Sequence, residues 1–227
     1  MALTRYQIAI LLRSHRWVGP LLLYSVSMVF AGLAGSANQP LGAGLDWSAA
    51  MAVPAAAWLT RSALTAEPAA ARACAAAAGG PYRTHLAALT AALAGGLVLA
   101  LCGAAYELAT CKGPAGGAST WASVMAAGLV TAAICVGVGS AAGALCNPPV
   151  IRKAGTAVLA TISAVIVALV AGISPANAAL RQVKTQPHSA GWLAGLPVLV
   201  AGAMLAGSWA LSTMLSARRD GPRPDGG

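Results

Sequence analysis

Six long apolar runs, separated by short polar stretches, dominate the pattern of the sequence. A transmembrane helix needs about 20 predominantly apolar residues, and each run is close to that length. The pattern therefore predicts an all-α membrane protein with six transmembrane helices. The first run is longer than the roughly 7 to 15 apolar residues of a cleavable signal peptide, so we interpret it as a retained span. The predicted spans are 17–34, 47–65, 86–108, 121–145, 155–173 and 192–216.

The two ends of the sequence differ from the apolar runs. Arg5, Arg13 and Arg16 fall within one sector of a helix, opposite most of the apolar side chains. This spacing predicts that residues 1–16 form an amphipathic helix at the membrane surface. The alternative is that these arginines only flank the first span, and both interpretations stay open. Residues 217–227 are charged and rich in glycine and proline, which predicts a disordered cytoplasmic tail.

An alanine-rich segment, 67–80, separates the second run from the third. It carries Glu67 and Arg72, with Arg83 shortly after it, and it has no bulky aliphatic side chain. Lipid would not retain such a segment, whereas alanine favours a helix and Pro68 suits its start. The pattern therefore predicts a short helix outside the membrane. Because this helix has almost no apolar face of its own, we expect a partner to hold it.

The distribution of charge predicts the orientation of the chain. Hydrophobic residues make up 58% of the sequence and charged residues only 8%, against roughly a quarter charged in a soluble domain. Of the 14 Lys and Arg, eleven fall on the side that holds both termini and the alanine-rich helix. The positive-inside rule places that side in the cytoplasm. The net charge of +9 does not indicate nucleic-acid binding, because no basic cluster is interleaved with aromatic residues.

The sequence lacks the usual signals of a metal site or of ion-coupled transport. Five cysteines include no Cys-x-x-Cys pair, and the three histidines fall in three different loops, so no metal site is predicted. Ion-coupled transporters place a carboxylate or histidine inside the membrane. Asp46 and Glu107 fall near the outer ends of their runs and Arg61 near an inner end, so all three are predicted to reach water. The sequence therefore shows no evident means of coupling to an ion gradient.

Enzyme motifs are also missing. The run 137–143 (GVGSAAG) resembles a dinucleotide fingerprint, but it lies inside an apolar run without a preceding strand. Gly139 and Gly143 instead form a small-xxx-small pair, which predicts close helix packing. The sequence has neither a nucleophile elbow nor a phosphate-binding loop, so no catalytic residue is predicted and an intramembrane enzyme is disfavoured.

Taken together, the opening stretch 5–17 (RYQIAILLRSHRW) and the stretch 67–72 (EPAAAR) resemble the permease subunit of an ATP-binding cassette exporter of the type-2 class, in particular its actinobacterial members. The resemblance covers essentially the whole chain. It implies an elbow helix at 1–16, a coupling helix at 67–80 and short re-entrant half-helices within 174–190. By resemblance, the coupling helix and the nearby charges, Glu67, Arg72 and Arg83, contact a cytoplasmic ATPase subunit.

The same resemblance implies the partners and the location. This chain would hold no cofactor of its own, while ATP and Mg bind to the ATPase subunit. A second permease subunit would complete a homodimer or heterodimer in the bacterial plasma membrane. The exported substrate would be an amphipathic peptide, a lipid or a drug-like molecule. The alternative is a non-transporting membrane scaffold that recruits a cytoplasmic partner, and the two hypotheses differ in whether substrate stimulates ATP hydrolysis by that partner.

Overall fold

A computed structural model describes residues 2–34, 39–114, 118–147, 150–151, 153–185 and 195–220. Within these residues the chain is helical, and no extended strand is formed, which confirms the predicted all-α class. The helices are α1 (Ala2–Arg13), α2 (Val18–Leu33), α3 (Leu41–Ala66), α4 (Ala69–Gly79), α5 (Pro81–Thr110), α6 (Ala118–Leu145), α7 (Ala154–Val170), α8 (Pro175–Thr185) and α9 (Leu196–Asp220).

Four stretches of the described chain are long and apolar enough to cross a membrane: Pro81–Thr110, Ser119–Leu145, Ala154–Arg181 and Leu196–Leu215. A fifth is added if α1 and α2, which meet at 71°, count as one bent span. This architecture is compatible with a multi-pass membrane protein, but the count is four or five instead of six. The predicted first span corresponds to α2, which has only 16 residues, and the predicted second span lies in α3, which carries Asp46 and Arg61.

Helix α3 lies at the centre of the fold, between α5 and α6. Small residues allow α6 to approach it closely: a Cβ added to Gly143 would lie 2.6 Å from the carbonyl oxygen of Ala57. The buried Thr60 hydroxyl donates a hydrogen bond to Ser140 Oγ across the same contact, at 3.3 Å. Because neighbouring helices cover α3, its polar side chains need not face lipid. A central helix can therefore be less apolar than the helices around it.

Local sequence explains how the chain turns between α3, α4 and α5. A residue that precedes proline disfavours the α region, so Pro68 holds Glu67 in an extended conformation and α3 ends at Ala66. Gly80 has a φ of 83°, a conformation that glycine adopts readily, and its N–H donates to Ala76 O to close α4. The helix predicted at 67–80 is thus found at Ala69–Gly79.

At the opposite end of the bundle, the start of α3 is tied to the end of α5. The backbone N–H of Leu41 donates to Lys112 O at 2.9 Å, and that of Lys112 donates to Gln39 O at 3.1 Å. These bonds hold the first turn of α3 beside the last turn of α5. Side chains near these two helix ends are therefore brought together although they are far apart in sequence.

The last three helices differ in burial. Most of helix α7 is exposed, and its buried residues are Ala157, Val165 and Ala168, whereas α8 buries Ala176 and Ala179 in the core formed with α3 and α6. Of the re-entrant pair predicted within 174–190, the described residues form helix α8, and residues 186–194 lie outside the described chain. Helix α9 continues to Asp220, beyond the predicted start of the tail at 217, because Ala217, Arg218 and Arg219 are good helix formers. Residues 221–227 also lie outside the described chain.

Candidate functional site

Glu67 connects α1 to the turn between α3 and α4. Its side chain is only 6% exposed. The Tyr6 hydroxyl donates to Oε1 at 3.2 Å, and the Gln7 amide donates to Oε2 at 3.1 Å. Desolvation, and after it the Glu67 carboxylate, raise the pKa of Tyr6, so its hydroxyl keeps its proton and remains a donor at neutral pH. The carboxylate that sequence assigned to a partner therefore bonds within this chain, and its contact with an ATPase stays a prediction.

Two arginines bind backbone carbonyl groups at the end of α3. Arg16 Nη1 donates to Thr65 O at 2.6 Å and to Thr65 Oγ1 at 3.1 Å, and Arg72 Nη2 donates to Glu67 O at 3.0 Å. Carbonyl groups at a helix C-terminus lack partners within the helix, and positive charge is favourable there. We call these contacts, together with those of Glu67, the junction. It holds α1, α3 and α4 in a fixed relative position.

The outward face of α4 consists of small side chains. Its exposed residues on that face follow the helical spacing i, i+3, i+4, i+7, i+8, and we call them the alanine stripe: Ala70, Ala73, Cys74, Ala77 and Ala78. Arg72 lies roughly on the opposite side of α4, where it reaches Glu67 O. The helix is also linked to α5, because the Thr84 hydroxyl can donate to Gly80 O at 3.0 Å or to Ala75 O at 3.4 Å, both at the end of α4. A rigidly mounted helix thus presents a flat surface to the outside.

The other predicted charged residues are on the surface. Arg5 and Arg13 of α1 are exposed, as is Arg83 in the first turn of α5. Arg16 is also exposed but is held by Thr65 in the junction. On α1 the buried side chains are Gln7 and Leu11, so the face opposite them is free to meet lipid headgroups or a partner.

Gly139 and Gly143 lie against α3. A Cβ added to Gly139 would lie inside van der Waals contact with Val53 O and 3.0 Å from Ala56 Cβ. One added to Gly143 would lie 2.8 Å from Thr60 Cβ. No other residue type fits these positions unless the two helices move apart.

The prediction that Asp46 and Glu107 reach water is wrong. Asp46 is 7% exposed and Glu107 is 0% exposed. Both side chains line a cavity of about 320 Å³ at the end of the bundle opposite α4. We call this cavity the acidic pocket; its walls include Phe30, Gln39, Gly44 and Trp47. The sequence alone did not predict this pocket, because its two carboxylates come from different helices, α3 and α5.

The thiol of Cys111, just beyond the end of α5, is hydrogen-bonded to Glu107, and its reactivity depends on that carboxylate. The thiol donates to Glu107 Oε2 at 3.0 Å. Burial, and after it the hydrogen bond to Glu107 and the charge of that carboxylate, raise the pKa of the thiol from its ordinary value of 9.0 to about 11. Thiolate is the reactive form, so below pH 9 the reactive fraction is about 100-fold lower than for an ordinary cysteine.

We therefore expect slow alkylation of Cys111 at pH 7.5, with a rate that rises about tenfold per pH unit up to pH 11. Glu107→Gln removes the charge but not the burial, so it is expected to accelerate alkylation several-fold, though by less than about 100-fold. Peptide mass spectrometry of the purified protein gives the rate at each cysteine. Exposed Cys74 in the same sample is the internal control. A rate at Cys111 that Glu107→Gln leaves unchanged would contradict this assignment.

A second cavity, of about 540 Å³, opens between α2, α3 and α7. Its lining is mostly apolar, with Trp58 and Val165 among the contributors, and it also includes Arg61 and Thr161. Among the described residues, no group of three or more His, Cys, Asp or Glu is arranged to hold a metal ion.

No protein-family model, curated protein or solved structure matches this chain.

Proposed function

We propose that this chain is the membrane-spanning permease subunit of an ATP-binding cassette exporter, driven by a separate ATPase subunit that binds ATP and Mg. The observation that carries the proposal is the mounting of α4. Its alanine stripe is exposed, while the junction and Thr84 fix the helix to α1, α3 and α5. A helix that transmits force between two subunits needs both properties: a free surface for the partner and a rigid connection to the spans.

The proposal includes six spans, formed by α2, α3, α5, α6, α7 and α9, with α1 as the elbow. At about 1.5 Å per residue, α2 is about 24 Å long, shorter than the roughly 30 Å of the hydrocarbon layer. A short helix is accommodated by local thinning of the bilayer. Helix α3 is long enough to cross and keeps its polar side chains inside the protein. Both termini and α4 then lie on the cytoplasmic side of the bacterial plasma membrane.

A second subunit and an amphipathic substrate complete the proposal. Helix α7 exposes large aliphatic side chains, Ile162, Ile166 and Val170 among them. No atom from another helix lies within 4 Å of a Cβ added to Gly155, near the start of this helix, or to Gly172, just beyond its end, which leaves room for a second copy or another permease subunit. An amphipathic peptide, lipid or drug-like molecule could enter from the bilayer along such a surface.

Site-specific crosslinking tests the proposal. A photoreactive amino acid at position 77, in the alanine stripe, is expected to form an adduct with one protein in native membranes. Mass spectrometry should identify that protein as an ATPase with a phosphate-binding loop. The same residue introduced at position 166, on α7, serves as the control and should not capture the ATPase.

The purified protein and its captured partner, reconstituted together in liposomes, then distinguish the permease hypothesis from the scaffold hypothesis. A permease is expected to show ATP hydrolysis that rises with a transported amphipathic substrate. A captured partner without a nucleotide site, or hydrolysis that no substrate changes, would reject the permease hypothesis in favour of the scaffold.

A further inference from the structure

The acidic pocket contains a buried charge without a full set of partners. Glu107 is completely inaccessible to water, and only its Oε2 is hydrogen-bonded, to Cys111. Its Oε1 has no hydrogen-bond partner among the described residues. A buried carboxylate in this condition is costly unless a positive charge or a proton compensates it. Asp46 lines the same cavity and adds a second acidic group.

The other walls of the pocket suit an organic cation. Phe30 and Trp47 line it, and the Trp47 indole is held in place because its Nε1 donates to Ser27 O at 3.3 Å. Aromatic faces attract cations, tryptophan most strongly. Ala31, Ala34 and Ala43 provide apolar surface for the body of a ligand. The cavity of about 320 Å³ is at the lower end of the range for small-molecule sites.

A metal ion fits the pocket less well. Hard cations such as Ca²⁺ require six or more oxygen ligands, and Mg²⁺ requires octahedral geometry. The described residues offer no cluster of three or more metal-ligating side chains. Two carboxylates beside aromatic walls are better suited to one positive charge on an apolar body.

We propose that the acidic pocket binds an organic monocation, an amine or quaternary ammonium with an attached apolar group, with its charge near Asp46 and attracted by the fully buried Glu107, and its body against Trp47 and Phe30. The site is separate from α4: Asp46 and Ala66 are twenty residues apart on α3, or about 30 Å at 1.5 Å per residue. It does not depend on the proposed ATPase partner and would exist in a scaffold as well as in a permease.

Equilibrium dialysis of radiolabelled benzyltrimethylammonium against the purified full-length protein tests this proposal. This cation is permanently charged, so its own charge does not vary with pH. We expect saturable binding that the uncharged isostere neopentylbenzene does not displace. Glu107→Gln is expected to weaken binding at least tenfold, and Glu107→Asp, which keeps the charge, is expected to restore part of it. Asp46→Asn should weaken binding independently.

A matched pair of tryptophan variants tests the aromatic wall. Trp47 and Trp58 both lie on α3 and are similarly exposed, at 42% and 45%, but Trp58 lines the other cavity, beside Arg61. Trp47→Leu is expected to weaken cation binding several-fold, and Trp58→Leu to leave it unchanged. Equal affinity in wild type, Glu107→Gln and Asp46→Asn would overturn the proposal and leave Glu107 with a structural role only. Displacement by neopentylbenzene would overturn it too, because the site would then be a nonspecific apolar one.

If Glu107→Gln fails to fold, Asp46→Asn and the tryptophan pair still decide the result.

Discussion

Gly139→Ala and Gly143→Ala are each expected to lower the free energy of unfolding by about 1–3 kcal/mol or more. This is the range seen when extra atoms are forced into a close-packed contact. The reason is the approach of α6 to the backbone of α3. The new Cβ at position 143 would lie 2.6 Å from Ala57 O, and the one at position 139 would be closer still to Val53 O. Backbone atoms cannot move aside as a flexible side chain does, so the helices must separate.

Gly137→Ala is the matched control for this prediction. Gly137 lies on the same helix, but no atom from another helix lies within 4 Å of a Cβ added there. Alanine is favoured over glycine inside a helix by up to about 1 kcal/mol, so this variant is expected to be as stable as wild type or slightly more stable. Chemical unfolding of the purified protein in mixed micelles, followed by tryptophan fluorescence, measures all three. If Gly139→Ala unfolds at the same point as Gly137→Ala, the contact between α3 and α6 is not as close as described.

Local signals in the sequence predicted where helices begin and end. The bounds of α4 differ from the predicted 67–80 by two residues at one end and one at the other, because Pro68 and Gly80 act on the backbone next to them. Such steric effects depend only on neighbouring residues and can be read without a fold. Close helix packing at Gly139 and Gly143 was predictable for a similar reason, because their spacing places both glycines on one face of a helix.

Hydropathy was a poorer guide to the role of α3. An apolar run indicates that a segment is surrounded by lipid or by protein core, but it does not say which. Helix α3 buries Asp46, Ser48, Thr60 and Ser62 among its neighbours, so its composition reflects protein surroundings more than lipid. Its central position follows from contacts with α5 and α6 that no property of α3 alone determines.

Contacts between segments that are distant in sequence were the main feature that the sequence did not predict. Gln7 and Glu67 are sixty residues apart, and the sequence contains no information on which helix face meets which. One signal for Glu107 was available, however. It follows the buried residues Ala100, Gly103 and Ala104 at helical spacing, so it lies on the face of α5 that packs inward. A carboxylate on a face of small residues is a better indicator of burial than its distance from the end of an apolar run.

Ala77→Glu is expected to abolish substrate-stimulated ATP hydrolysis by the proposed permease and ATPase pair. In the proposed complex the alanine stripe contacts the ATPase, and a glutamate there would bury an unpaired carboxylate. Leaving a charge unpaired in an interface costs about 2–5 kcal/mol, which corresponds to a loss in affinity of about 30-fold to 5000-fold. ATP hydrolysis and transport by the reconstituted pair measure the effect.

Ala77→Ser provides the matched control, because serine adds one oxygen without a charge and should leave coupling close to normal. Since position 77 is exposed, neither variant is expected to change the free energy of unfolding of the isolated protein by more than about 0.5 kcal/mol. Normal hydrolysis by the Ala77→Glu pair would show that the ATPase contacts another surface.

Variants of Arg72 test whether transport also requires the rigid connection between α4 and the other helices. Arg72→Glu removes the donor to Glu67 O and introduces a negative charge near that carbonyl, so it is expected to abolish transport although the alanine stripe is unchanged. Membrane insertion and dimer formation should persist, since no contact between spans depends on Arg72. Arg72→Lys keeps the charge and one donor but loses the planar fork. We expect it to retain partial transport, and near-normal transport by both Arg72 variants would mean that the junction does not couple α4 to the spans.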